Sequence, residues 1–421
     1  MELFNIMAIL ITLSALFGYL NYRFIKLPTI IGLMLISMLM SIFLVVLGNL
    51  GLGVEKYWMP VVQSIDFNKT LMVGMLSFLL FAGALQVDIG ELLRQKWEVI
   101  VYATVGVFIS TALVGALSYC ILGWLGLKMQ LIYCLLFGAL ISPTDPIAVI
   151  GMLRNAAAPK SLEVQIAGES LFNDGIGVVL FAVLLEMATG HHTTYIPDAI
   201  SLFATETIGG AIFGLVIGWI AYRILKSIDN YQIEILVTLS LVTGGYALAS
   251  AINISGPIAI VVAGLLIGNH GRKLAMSEVT RNNLDMFWEL IDVILNSVLF
   301  VLMGLELLVL QLSLTYVLAA VATIFIVLLS RFVSIGTPMR LLAFRKKFSL
   351  STLIIMTWGG LRGGIAVALA LSLPVGYERN IIIAITYGVV VFSVLVQGLT
   401  FKSLINPNLI LIQNKGGQNV H

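Results

Sequence analysis

Two short polar runs interrupt an otherwise apolar sequence, and both carry carboxylates. Residues 142–146 read SPTDP, which sets Asp145 between Pro143 and Pro146. The prolines remove two backbone donors and disfavour helix at the residues before them, so carbonyls near Thr144 and Asp145 leave the helical ladder. In an apolar medium a freed carbonyl needs protein, water or a cation as its partner. An aspartate at that point makes the opening attractive to a cation. The second run, GESLFNDGIGVVLF, gathers Glu169, Ser170, Asn173 and Asp174. Spacing of four puts Ser170 and Asp174 on one helical face and Glu169 and Asn173 on the adjacent one. Asp174 has no basic residue in its own run, so its carboxyl can hold a proton or trade it for a cation.

Arg362, in TWGGLRGGIAVALALSLP, lies deep in a third apolar run and requires an acidic partner. Glu169 is the expected one, in a structural ion pair that pins the interrupted runs together. Gln86 and Glu306 read as packing or gating groups. The GLRGG stretch has neither the lysine nor the strand of a phosphate-binding loop. Gly210, Gly214 and Gly218 form a stripe that favours close helix packing. His191 and His192 read as a solvated loop pair, and Cys120 and Cys134 as small buried side chains. No cofactor and no resident metal follow from these residues.

The elements that hold these groups must cross a membrane. Over 421 residues, 60% are hydrophobic and 10% charged, with a mean hydropathy of +1.06. An ordinary soluble domain has about 25% charge. A net charge of +2 gives no reason to expect nucleic acid as a partner. The N-terminal run has no cleavage signature and is expected to stay as a first helix. Apolar windows predict an all-α polytopic protein with thirteen spans, near 4–22, 28–49, 69–90, 97–123, 129–151, 163–188, 203–225, 231–252, 255–270, 287–311, 313–335, 350–374 and 379–403. Residues 404–421 are expected to form a short tail. Eighteen Lys and Arg, from Arg23 to Lys415, fall in alternate loops, against four (Lys56, Lys69, Lys128 and Arg379) in the others. The excess of positive charge belongs inside, so the N-terminus is expected outside and the C-terminus in the cytoplasm.

Thirteen spans divide into two inverted six-helix repeats, about 4–188 and 231–403, joined by a connector helix at about 203–225, within one transporter unit over 1–403. FLLFAGALQVD and VLFVLMGLELL echo one another, and the fifth span of each half carries a helix breaker. Interrupted segments in matching positions point to a site at mid-membrane.

At SPTDPIAVIGML, GESLFNDGIGVVLF and WGGLRGGIAVALALSLP together, the chain resembles the first cation/proton antiporter family, the bacterial NhaP-type and animal sodium/proton exchangers. The resemblance covers essentially the whole chain. It implies a homodimer in the bacterial inner membrane, with broken spans five and twelve crossing in a moving core. It implies Asp174 as the ion and proton carrier, with Thr144, Asp145 and Ser170 binding Na⁺. It also implies Asn173 as support and Glu169 with Arg362 as a structural pair. Gln86 departs from relatives that carry an acid there, and the tail is shorter than in animal exchangers. The expected activity is electroneutral exchange of Na⁺, and of Li⁺, for H⁺ by alternating access. A K⁺/H⁺ exchanger, a cation channel or an intramembrane aspartyl protease are the alternatives. NDGIG lacks the GxGD signature of the last.

Overall fold

The computed structural model describes residues 3–50, 66–156, 158–190, 196–272, 276–308, 313–342 and 350–405. His191, His192 and the tail beyond 405 lie outside the described residues. Among those described the protein is helical throughout, and its only strand-like pairing is a single bridge between Asp145 and Leu361.

Among the described residues, ten helices are long and apolar enough to cross a membrane. They are α1 (Phe4–Ile25), α2 (Thr29–Gly48), α3 (Phe67–Gln86), α4 (Lys96–Trp124), α7 (Lys160–Thr189), α8 (Pro197–Leu225), α9 (Tyr231–Ala251), α11 (Glu278–Glu306), α12 (Leu314–Leu342) and α15 (Tyr377–Leu404). Where three further spans are expected from the sequence, the structure has one shorter apolar helix, α10 (Gly256–Gly271), and two interrupted segments. One breaks into α5 (Leu131–Ile141) and α6 (Ile147–Asn155), the other into α13 (Leu350–Trp358) and α14 (Gly364–Leu371). The breaks fall at SPTDP and at GGLRG, where proline removes donors and glycine resists helix.

The helices pack in two neighbourhoods. In one, α2 lies on α11, and α10 on α3 and α8. In the other, α4 lies on α5 and α12, and α15 on α12 and α14. The glycine stripe of α8 faces α10. A Cβ at Gly210 would sit 2.7 Å from the Ser255 carbonyl and one at Gly218 3.0 Å from the Ala263 Cα. That close approach is what the missing side chains allow. The α11 helix starts nine residues before the apolar window that predicted it. Ser277 caps it by accepting from the Thr280 amide at 3.4 Å, and its polar first turns carry too little hydropathy to register. Cys134 is buried as expected, whereas Cys120 is exposed on the surface of α4.

Candidate ion site

The two breaks meet beside α7, and several of the backbone groups they release find partners in the protein. The Asp145 amide donates to the Leu361 carbonyl at 2.8 Å, forming the bridge that ties one break to the other. The Thr144 amide donates to Asn173 Oδ1 at 3.3 Å, and the Thr144 carbonyl accepts from the Ser170 hydroxyl. Asp145 Oδ1 accepts from the Ile147 amide at 3.0 Å, the first amide of α6, from the residue before the Pro146 cap. In the other break the Arg362 amide donates to Ser393 Oγ at 2.9 Å, and the Trp358 carbonyl accepts from Gln397 Nε2 at 3.1 Å.

Arg362 is 2% exposed, and its guanidinium donates to the carbonyls of Ser142 and Pro143, at 2.8 and 3.0 Å. Two readings from the sequence change here. Of the carbonyls released around the prolines, those of Ser142 and Pro143 accept from an arginine of the protein and that of Thr144 from Ser170, so each already has a partner within the protein. Glu169, meanwhile, pairs with Arg331 of α12, whose two terminal nitrogens bind the two carboxylate oxygens, the second at 2.9 Å. Glu169 thus has its partner without Arg362. The physical reason is geometric. Carbonyls at the end of α5 carry the negative end of a helix dipole, which suits a guanidinium. The fork of Arg331 meets Glu169 in a two-point contact on which its side chain is 8% exposed and that of Glu169 1%. Arg331 was counted among loop charges from the sequence. It lies buried within α12, and moving it leaves the charge asymmetry standing.

Asp174, Asp145, Thr144 and Ser170 line one cavity of about 680 Å³. Its wall runs from exposed Asp88 and Lys160 at the ends of helices to the half-buried carboxyls of Asp174 and Asp145. Neither Asp174 nor Asp145 takes part in an ion pair among the described residues. Asn173 stands behind the wall, fully buried, holding Thr144 through its amide and its hydroxyl, the latter at 3.0 Å. Ser170 gives its proton to the Thr144 carbonyl, which leaves its lone pairs for another partner. Gly363 presses on Asp145, where a Cβ would sit 2.7 Å from Oδ2. Gln86 lines the same cavity, whereas Glu306 is half-buried at the end of α11 and does not. Sequence reasoning missed Asp292 and Asn296 of α11, which also line the cavity. Their spacing of four within an apolar span was the available signal.

The profile of the transmembrane sodium/hydrogen exchanger family matches residues 11–406. The chain belongs to that family. Its members are transporters and not enzymes. The Na⁺/H⁺ antiporter NhaP of Pseudomonas aeruginosa is 49% identical over 407 residues, covering 95% of this chain and 96% of its own length. The Na⁺/H⁺ antiporter NhaH of Halobacillus aidingensis is 35% identical, over 84% of this chain and 86% of its own. The solved structure of the sodium proton antiporter MjNhaP1 from Methanocaldococcus jannaschii at pH 8 superposes with a TM-score of 0.75. It covers 97% of this exchanger and all of the other chain at 21% identity, a likeness of fold.

Proposed function

We propose that this exchanger carries Na⁺, and Li⁺, against H⁺ across the bacterial inner membrane, one ion for one proton, by alternating access. The observation that carries this reading is Asp174, a carboxyl at a cavity wall with no ion-pair partner among the described residues, beside two broken helices. A lone carboxyl at that depth is costly unless it binds a proton or a cation. Competition between the two for one carboxyl is what couples their movements. Asp145, Thr144 and Ser170 complete the site for Na⁺, and Asn173 holds Thr144 in place. The bridge from Asp145 to Leu361 makes the two broken segments move together.

The two interrupted segments and Gly256–Gly271 added to ten long helices make thirteen crossings, arranged as two inverted repeats in a single unit. The N-terminus is outside, the short tail is cytoplasmic, and two copies form a homodimer. The names of the two antiporter relatives support the ion choice. The test uses purified protein in liposomes, with Na⁺, Li⁺ and K⁺ compared at several pH values. Wild-type protein is expected to move protons in response to Na⁺ and Li⁺, and Asp174→Asn to abolish this while remaining folded. Exchange retained in Asp174→Asn overturns the assignment, and a response to K⁺ alone overturns the ion choice.

A further inference from the structure

The cavity holds a third carboxyl that the site above leaves unused. Asp292 lies on α11 and faces the cavity half-buried, with Asn296 one turn further along the same wall. Asn296 is 3% exposed, and its Nδ2 donates to the Asp292 carbonyl at 2.9 Å and to Asp292 Oδ1 at 3.0 Å. Those two acceptors fix the orientation of the amide, because flipping it would set oxygen against oxygen. Asn296 Oδ1 is thereby left buried in the wall with no hydrogen-bond partner. A buried acceptor without a donor is costly, and a cation relieves it as well as a donor would.

The electrostatics point the same way. Asp292 and Asp145 line the same cavity, from α11 and from the break at SPTDP. Neither Asp292 nor Asp145 has an ion-pair partner among the described residues. Two facing carboxylates repel unless a positive charge lies between them. Asp145 Oδ1 is engaged by the Ile147 amide, which turns Oδ2 to other work. The available donors are then oxygens alone, from two carboxylates and one amide. Such a set suits a hard cation and supplies fewer ligands than the six to eight oxygens a calcium site gathers, so the occupant keeps part of its water, and on the antiport reading it is the transported monovalent ion.

We propose that Asp292, Asn296 and Asp145 form a second, staging site for the transported monovalent cation, inside the cavity and ahead of Asp174. The proposal rests on the antiport reading above. Because Asp145 belongs to both sites, a cation passes from one to the other by exchanging Asp292 and Asn296 for Asp174 and Ser170, without regaining a full water shell.

The test combines binding and sided transport on the full chain. Radioactive sodium should still bind saturably to Asp174→Asn, and this residual binding should vanish in Asp174→Asn/Asp292→Asn. In sealed vesicles, Asp292→Asn should raise the half-saturating Na⁺ concentration at the cavity face about ten-fold by removing one focusing charge, with the opposite face unaffected. Asp292→Glu should restore it. Asn296→Asp, which adds an anionic oxygen at the same place, should lower it. The proposal is overturned if Asp174→Asn binds no sodium, if Asp292→Asn shifts both faces alike, or if Asn296→Asp leaves the cavity face unchanged. A wild-type protein that moves no protons on addition of Na⁺ overturns the antiport reading instead, while the binding arm still decides the site.

Discussion

Methionine at Arg331 would leave the Glu169 carboxylate, 1% exposed, without either of its guanidinium bonds. Stranding one member of a buried pair costs about 3–5 kcal/mol, most of it the desolvated charge that remains. Methionine at Glu169 does the reverse, leaving Arg331 with only the Met356 carbonyl at 3.4 Å. Replacing both by methionine removes both charges and roughly keeps the volume, a change that is often neutral. The two single effects should therefore exceed the double effect, with a coupling of about 3 kcal/mol between the positions. Glu169 and Arg362 should couple far less, because Arg362 spends two of its bonds on the carbonyls of Ser142 and Pro143. The measurement is thermal unfolding of the detergent-solubilised protein, followed by loss of the monodisperse peak, for each single and double variant. Additive effects at positions 169 and 331, or a stronger coupling between 169 and 362, would refute the pairing of Glu169 with Arg331.

Three further outcomes follow from the same geometry. Gly363→Ala should weaken Na⁺ binding with little loss of stability, since the new Cβ arrives 2.7 Å from Asp145 Oδ2, and an unchanged half-saturating Na⁺ concentration in liposomes would show that Asp145 has room to give. Gly214→Leu should force α8 away from α10 and cost on the order of 1–3 kcal/mol, read as a lower unfolding temperature, whereas the wild-type value would mean the stripe is not a packing surface. A one-for-one cycle moves no net charge, so the Na⁺ gradient at which flux reverses should ignore an imposed potential. One net charge per cycle would instead couple to about 2.3 kcal/mol per 100 mV and displace that gradient nearly fifty-fold. Reversal measured at fixed pH difference against a graded K⁺/valinomycin potential separates the two, and a shift with voltage would make Asp145 a second proton carrier.

What could be read from the sequence was local. Both breaks were visible because proline and glycine act on their own backbone, whatever surrounds them. Ser170 and Asp174 could be placed on one face because helical periodicity is also local. The partner of Glu169 was not visible, because it depends on which helix approaches α7. Arg331 sits on an apolar helix whose last turn carries one more positive charge, Arg340, so by hydropathy it passes for the edge of a loop. Asp292 escaped for a related reason. It follows Glu278, Asp285 and Glu289 along α11, whose polar start disguised the point at which that helix enters the cavity.

The placement of charge where the two breaks meet shows how the protein can hold a buried arginine and still keep carboxyls free on the cavity wall for the proposed cation. Four half-helices meet there, and their ends carry opposite partial charges. The C-terminal carbonyls of α5 are negative, and Arg362 answers them directly. The N-terminus of α6 is positive, and Asp145 answers it by accepting from the Ile147 amide. Arg362 and one oxygen of Asp145 are thus engaged at the ends of broken helices, and donors of the protein meet the Ser142, Pro143 and Thr144 carbonyls. Oxygens of side chains are what remain on the cavity wall, above all those of Asp174, Asp145 and Ser170. A site made of backbone carbonyls would bind a cation and have no means of binding a proton in its place. One made of carboxyls accepts either, and cannot hold both at the same oxygen. On the proposed reading, exchange as opposed to simple permeation follows from carboxyl ligands, and Arg362, by engaging the Ser142 and Pro143 carbonyls, leaves that part to the side chains.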